Sequence, residues 1–128
     1  MRLLLDTHVV IWLFEGNPRL SAPAREAIAD DESAVYVSAV SAIEIALKFR
    51  SGKLPQAAEL AVNFESLMIE YSYAPLPITL RHAQVAGLLP IPHKDPFDRL
   101  LIAQAQTEAL VLVSNKVIFD AFGVIRLW

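Results

Sequence analysis

The segment Arg2-Leu3-Leu4-Leu5-Asp6-Thr7-His8-Val9 places a carboxylate directly after a short apolar run. The three leucines do not alternate with polar residues, which is typical of a strand covered on both faces, as in a parallel sheet. Open α/β sheets bind ligands just beyond the carboxyl ends of such strands. A carboxylate there is costly among apolar neighbours unless a positive charge lies beside it. Asp6 is therefore the first candidate functional residue.

The length and composition predict one domain, residues 1–128, with plentiful core material. The chain has 128 residues, a common domain size, and 55% of them are hydrophobic. Part of this surplus is expected at a subunit interface, as in a homodimer. The longest strictly apolar run, Val9 to Phe14, is shorter than the roughly 20 residues of a membrane span, so no membrane association is expected. Asp6 follows the start too closely for a secretory signal.

Charge and cysteine content narrow the function further. The formal net charge of −3 argues against a broad basic surface for nucleic acid, so any such contact is expected to be local or helped by bound cations. The absence of cysteine excludes disulfides and thiolate metal sites. It is compatible with a reducing cytoplasm, where we expect the protein to act.

Apolar runs that alternate with helical stretches predict an α/β fold with a mostly parallel sheet. The predicted strands are Leu3–Leu5, Ala34–Val37, Pro75–Ile78, Val111–Val113 and Val124–Leu127. The strand with Pro75 and Pro77 should lie at an edge, because each proline removes a ladder donor. The last strand is expected at the other edge.

Capping residues predict where the helices begin. The predicted helices start after Ser21, Ser38, Thr79, Asp95 and Asn115, and one further helix covers residues 56–70. The Ser38 helix is expected to end near Gly52, and the last one at Gly123. Residues 88–96 hold three prolines and are predicted to form a loop.

Glu44 is the second candidate acid. On its helix, Val40, Ile43 and Leu47 are predicted to form a packed apolar face, and Glu44 lies at the border of that face. One interpretation is an i,i+4 pair with Lys48, worth only about 0.3–0.5 kcal/mol at a surface. The other is a site acid.

Asp98 is the third candidate. It lies in the first turn of its helix, where a carboxylate complements the exposed amides without any function. It also shares a side with Leu101, Ile102 and Ala105, so it is aimed along the core-facing stripe. Both interpretations stay open for Asp98 taken alone.

Taken together, Asp6, Glu44 and Asp98 predict a metal site. Like charges in one pocket repel and raise a pKa unless a cation joins them. Ligation by carboxylates and water suits Mg²⁺ or Mn²⁺. Such an ion polarises a phosphate oxygen and lowers the pKa of an attacking water, which favours phosphodiester hydrolysis.

At these residues the chain resembles the PIN-domain ribonucleases, in particular the VapC-type toxins of type II toxin–antitoxin systems. The similar segments are Leu5–Trp12, Ser38–Lys48, Pro92–Ala103 and Leu112–Asn115, in the family's order over nearly the whole chain. The resemblance implies a PIN-like three-layer α/β fold with a mostly parallel sheet of four to five strands flanked by helices. It also implies an endoribonuclease that depends on Mg²⁺ or Mn²⁺, forms homodimers and is neutralised by a cognate antitoxin.

The resemblance also implies roles for individual residues. Asp6, Glu44 and Asp98 correspond to the family's catalytic and metal-binding acids. Ser114 corresponds to a hydroxyl that helps orient water or an acid. Asp95 and Arg99 flank the third acid, and we expect them to support it; Arg99 either contacts RNA or holds a neighbouring acid.

Lys116 departs from the family pattern, which often has an aspartate there. A lysine in the first turn of a helix opposes the local dipole. It either points to solvent, or its ammonium takes a second cation position and pairs with Asp98 or Asp6. The second interpretation predicts at most one tightly held metal and weaker activity.

Other residues carry weaker signals. The histidines His8, His82 and His93 are too scattered for a zinc site and are predicted to be surface or capping groups; His93 and Lys94 are also placed to touch an RNA phosphate. Trp12 and Phe14 are expected in core or dimer packing. The stripe Leu60, Phe64, Leu67 and Met68 suits core, dimer seam or antitoxin groove equally.

Two other function classes compete. A phosphoacceptor domain of the response-regulator kind also has acids after its first strand and a late lysine, but it needs an aspartate where this chain has Ser38. The stronger rival is a PIN-fold module that binds antitoxin or RNA and has weakened or lost catalysis through Lys116.

Overall fold

The fold is a five-stranded, all-parallel sheet flanked by helices. The computed structural model describes all residues, 1–128. Its strands are β1 Arg2–Leu5, β2 Ala34–Ser38, β3 Ala74–Leu76, β4 Val111–Val113 and β5 Arg126–Leu127, in the order β3-β2-β1-β4-β5. The prediction of an α/β fold with a parallel sheet is confirmed, and both predicted edge strands lie at the edges. Because β1 is central and pairs with β2 and β4, its carboxyl end lies between two other strand ends.

Seven α-helices and two 3₁₀ helices connect the strands. The α-helices are α1 Thr7–Glu15, α2 Ala22–Ala29, α3 Ala39–Arg50, α4 Ala58–Val62, α5 Phe64–Glu70, α6 Leu80–Leu88 and α7 Pro96–Thr107. The 3₁₀ helices cover Pro55–Ala57 and Val117–Phe122. None of these helices is both long and apolar enough to cross a bilayer.

The sheet is covered on both faces, which produces three layers. Successive β1 side chains point to opposite faces. Leu3 and Leu5 belong to a cluster of 16 buried residues that also contains side chains of α1, α2 and α4. Leu4 belongs to a cluster of eight that contains side chains of α7. The unbroken apolar run of β1 is thus explained by burial on both faces.

The caps that begin four helices are confirmed. The side chains of Ser21, Ser38, Thr79 and Asp95 each accept a hydrogen bond from a backbone N–H of the helix that follows. Asp95 accepts from two amides, and Pro96 occupies the first helical position as predicted.

Three local predictions are wrong. The single helix over residues 56–70 is interrupted at Asn63, whose φ of −113° is not helical, since asparagine competes poorly as a helix former. Asn115 caps nothing: Lys116 takes the N-cap position of a 3₁₀ helix. On α3, Ile43 and Leu47 are 46% and 47% exposed, because the helix packs instead through Val40, Ser41 and Ile45.

Candidate active site

Asp6 lies at the centre of the site, at the carboxyl end of β1. Its backbone N–H donates to the Val113 carbonyl of β4 at 3.0 Å, which continues the ladder up to the acid. One carboxylate oxygen, Oδ1, accepts from the Thr7 N–H at 2.7 Å and so caps α1. The other, Oδ2, accepts from the Ser114 hydroxyl at 2.7 Å. The residue is 1% exposed, and these two donors offset the cost of burying the charge.

Glu44 is joined to Asp6 through the first residue of α1. The Thr7 hydroxyl donates to Glu44 Oε1 at 2.7 Å and lies 3.0 Å from the buried Ser41 hydroxyl. No ion pair links Glu44 to Lys48, so the simple i,i+4 interpretation is wrong. Burial raises the pKa of Glu44, opposed by the Thr7 hydrogen bond and the charge of Lys48, while the nearby Asp6 charge raises the pKa further.

Asp98 comes to the site from the first turn of α7. It is 5% exposed and faces inward with Leu101, Ile102 and Ala105, as its helical position predicts. Its Oδ2 lies 2.8 Å from His93 Nε2, and its Oδ1 accepts from the Lys116 ammonium at 3.2 Å. An acid that served only the helix dipole would not need two such partners.

The Lys116 ammonium contacts Asp98 and is influenced by the charges of Asp6 and Glu44. Burial acts to lower the pKa of Lys116, but the charges of Asp6 and Asp98, the hydrogen bond to Asp98 and the charge of Glu44 outweigh it and raise that pKa. The side chain is 29% exposed, and its nitrogen lies 5.7 Å from the Phe119 ring centroid. The solvent-facing interpretation is therefore wrong, whereas the predicted pairing with Asp98 is present. Ser114 links Asp6 to Lys116, because its hydroxyl donates to Asp6 Oδ2 and also accepts from the Lys116 N–H at 3.0 Å.

Asp95 and Arg99, which flank Asp98 in the sequence, make different contacts. Asp95 caps α7 by accepting from the backbone N–H groups of Phe97 and Asp98, so it supports Asp98 through its backbone and not through its carboxylate. Arg99 does not hold a neighbouring acid, contrary to one of the two expectations. Its guanidinium donates five hydrogen bonds to backbone carbonyls between residues 86 and 93. Two of these carbonyls belong to the last turn of α6 and three to the loop that follows, and a planar fork of five donors meets them well.

The structure also corrects the predictions made for the histidines. His82 is a capping group, as one of the two expectations has it, because it forms a capping box with Thr79. It is not a surface group: it is 1% exposed, and its Nε2 lies 3.0 Å from Glu108 Oε1. His93 is not simply a surface group, because its ring contacts the Asp98 carboxylate. His8 is half-buried, and burial followed by the charge of Lys48 lowers its pKa. Trp12 packs in the core, as predicted.

Sequence reasoning missed Thr7, Ser41 and His93. Thr7 and Ser41 are hydroxyl residues on the faces of α1 and α3 that meet, and each is 1% exposed or less. Their signal was available in principle, because Thr7 directly follows Asp6, and Ser41 lies three residues before Glu44 and hence on the same side of α3. The stripe on α4 and α5 belongs to the core: Leu60 and Met68 are buried, and Phe64 and Leu67 pack against them.

The donor set fits a hard divalent cation chemically. Three carboxylates face one ammonium, which leaves excess negative charge, and all the side-chain ligands would be oxygens. In this structure, however, each acid is engaged by protein donors, and no three acidic, histidine or cysteine side chains form a ready metal cage. A metal would therefore compete with Lys116 for Asp98.

The comparison with protein families identifies the family of the chain. Residues 3–123 match the family described as PIN domain. The chain belongs to the PIN domain family. The PIN match covers all three acids and Lys116, and PIN domains generally use divalent metal ions.

Solved structures agree with the PIN assignment at the level of the fold. The chain is similar to VapBC2 from Rickettsia felis bound to a promoter DNA fragment, with a TM-score of 0.70 and 15% identity, over 99% of this chain and 98% of that one. It is similar to VapC20 from Mycobacterium tuberculosis, a sarcin-ricin loop cleaving toxin, with a TM-score of 0.72 and 16% identity, over 96% of each chain. VapBC-1 from nontypeable Haemophilus influenzae aligns with a TM-score of 0.67 and 18% identity, over 99% and 97%. No curated protein sequence matches.

Proposed function

We propose that this PIN domain is the toxin of a VapC-type toxin–antitoxin pair and hydrolyses RNA phosphodiester bonds with the help of Mg²⁺ or Mn²⁺. The observation that carries the proposal is a hydrogen-bonded network at the carboxyl end of a parallel sheet. In this network Thr7 joins Asp6 to Glu44, and Ser114 joins Asp6 to Lys116, whose ammonium binds Asp98. Buried like charges of this kind are costly unless they serve cation binding. Full-length similarity to VapC and VapBC structures supports the same function.

The acids have distinct proposed roles. Asp6 and Asp98 would hold the ion, directly or through water, and Glu44 would complete the shell or accept a proton from the attacking water. When bound, the ion supplies Lewis-acid stabilisation and a more acidic water. The raised pKa of Glu44 suits a proton acceptor, because an acid nearer neutrality gives up and takes a proton more readily. Ser114 and Thr7 fix the orientations of Asp6 and Glu44.

Lys116 supplies part of the positive charge that a second ion would otherwise bring. The ammonium faces the acids and lies close enough to Asp98 to hold it while a phosphate binds. Interactions that act on growing phosphate charge dominate such chemistry. We therefore propose one tightly held metal ion. The same residue supports the rival proposal, a PIN module that binds antitoxin or RNA with little catalysis.

The proposed partners follow from the function. A toxin of this class needs a cognate antitoxin, and an RNA target implies action in the cytoplasm. A homodimer is proposed because apolar side chains stay exposed in the single chain, among them Ile43, Leu47, Val62 and Ile69. Size-exclusion chromatography with light scattering measures the dimer directly.

The decisive experiment is RNA cleavage by the purified protein. Structured RNA is incubated with Mg²⁺ or Mn²⁺, and Asp6→Asn is compared with Asp31→Asn, an exposed acid in a turn. We expect cleavage by the wild type and Asp31→Asn and its loss in Asp6→Asn. Cleavage that survives Asp6→Asn would exclude the proposed site. No cleavage by the wild type, together with tight RNA or antitoxin binding, would favour the binding module.

A further inference from the structure

Asp98 is held on both carboxylate oxygens by segments outside its own helix. Lys116, which follows β4, donates to Oδ1 at 3.2 Å. His93 Nε2 lies 2.8 Å from Oδ2, and its side chain is 19% exposed. The two contacts together fix the rotation of the carboxylate, so the position of His93 matters for how Asp98 faces the site.

His93 belongs to a loop that has little structure of its own. The loop, residues 89–95 between α6 and α7, contains Pro90 and Pro92, which lack an N–H donor. Its one internal backbone hydrogen bond joins the Ile91 N–H to the Leu89 carbonyl at 2.9 Å. The His93 ring contacts Phe122 at 5.6 Å, and Leu89 and Ile91 pack against the core, but these side-chain contacts do not hold the loop backbone by hydrogen bonds.

Arg99 supplies that restraint. All three of its side-chain nitrogens donate to carbonyls of the α6 end and the loop. The acceptors are the carbonyls of Ala86 at 2.9 Å, Gly87 at 3.2 Å, Leu89 at 2.8 Å, Ile91 at 3.2 Å and His93 itself at 2.9 Å. A rigid guanidinium fork can hold five carbonyls at once, whereas an ammonium has three donors on one atom.

We propose that Arg99 is a positioning residue that fixes loop 89–95 and thereby holds the His93 imidazole on Asp98 Oδ2. The proposal deepens the proposed function, because it makes Asp98 an acid whose orientation matters for cleavage. Partners behind a functional carboxylate commonly set its direction, and their loss costs about 10- to 100-fold in activity or metal affinity. Arg99 follows Asp98 on α7, so the same helix turn carries both the acid and the residue that fixes its partner.

Steady-state RNA cleavage tests the chain of contacts. We expect Arg99→Gln and Arg99→Lys to lower kcat by about 10- to 100-fold with KM little changed. Arg81→Gln, on the exposed face of α6, is the matched control and should keep wild-type kcat. His93→Phe should lose as much as Arg99→Gln, and His93→Gln, which keeps an N–H donor at a similar reach, should retain most of kcat.

A double variant separates positioning from general damage. If Arg99 acts through His93, adding Arg99→Gln to His93→Phe lowers kcat no further, because residues that act as one unit are not additive. The proposal would be overturned if kcat of the double variant fell by the product of the two single fold-changes. Unchanged kcat in both Arg99 variants would do the same.

Nitrogen-15 NMR of the histidine rings gives a readout that needs no activity. We expect a protected His93 Nε2 proton in the wild type and in Arg81→Gln, and its loss in Arg99→Gln. If that proton persists, the positioning proposal fails whatever the enzyme does. If it is lost while the wild type cleaves no RNA, the positioning stands and the proposed function fails. Arg99→Lys keeps the charge and decides the matter should Arg99→Gln not fold.

Discussion

The Lys116 ammonium lies 3.2 Å from Asp98 Oδ1, so a cation from the protein itself already occupies the acidic cleft. The neighbouring acids raise the pKa of Lys116 despite its burial, which keeps it charged. This contact sets the metal chemistry that we expect of the site.

Replacing Lys116 by aspartate should strengthen metal binding. Lys116→Asp removes the competing ammonium and adds an oxygen ligand, and we expect Mn²⁺ affinity to rise roughly tenfold or more. Isothermal titration calorimetry measures it. Lys53→Asp, an exposed position, controls for the same change in net charge. Equal affinity in Lys116→Asp and wild type would contradict a role for the ammonium in the cleft.

Glu44 should make stability depend on pH in a predictable direction. Its folded pKa is raised above the ordinary value of 4.5, mainly by burial, so the folded state binds this proton more tightly than the unfolded state. The contribution of Glu44 to stability therefore falls as pH rises from 4.5 through the folded pKa. Glu44→Gln can still accept from Thr7 and should lack this component.

The comparison is made by calorimetric unfolding in EDTA between pH 4.5 and 8. The difference in Tm between Glu44→Gln and wild type should grow in favour of the variant as pH rises. A constant difference across this range would mean that the pKa of Glu44 is not raised in the folded protein.

The Thr7 hydroxyl should matter for both the stability of the fold and the pKa of Glu44. Thr7→Val keeps the shape but leaves the buried Ser41 hydroxyl and Glu44 without their shared partner. We expect a loss of about 1–3 kcal/mol in the free energy of unfolding, measured by urea denaturation. Without the hydrogen bond that lowers it, the pKa of Glu44 should rise further. Thr7→Ser restores the hydroxyl, so it should recover most of the lost stability and bring the pKa of Glu44 back down.

Ser114 should act on two groups at once. In Ser114→Ala, Asp6 Oδ2 loses its side-chain donor and the Lys116 N–H loses its acceptor. We expect a destabilisation of about 1–3 kcal/mol and a lower kcat for RNA cleavage, because both groups belong to the site. Ser33→Ala, at a partly buried serine before β2, is the control. If Ser114→Ala is as stable and active as that control, the hydroxyl does not hold Asp6.

Local sequence signals were sufficient where a residue and its neighbours along the chain decide the outcome. The apolar run of β1 predicted a buried parallel strand, the prolines of β3 predicted an edge, and Asp95-Pro96 predicted the start of α7. Local sequence signals were insufficient to predict which face of α3 is buried. Its apolar residues offered two possible faces, and only packing against α1 and α7 selected Val40 and Ile45 over Ile43 and Leu47.

The sequence by itself determined the architecture and pointed to three candidate acids, because strand periodicity, caps and motifs depend on residues that are close along the chain. Only the tertiary structure decided which donors hold those acids. Ser114 is 108 residues from Asp6, and Lys116 is 18 residues from Asp98, so these contacts depend on strand order and not on local preference. The same holds for Arg99, whose five carbonyl partners exist only because α6, a proline loop and α7 close around it.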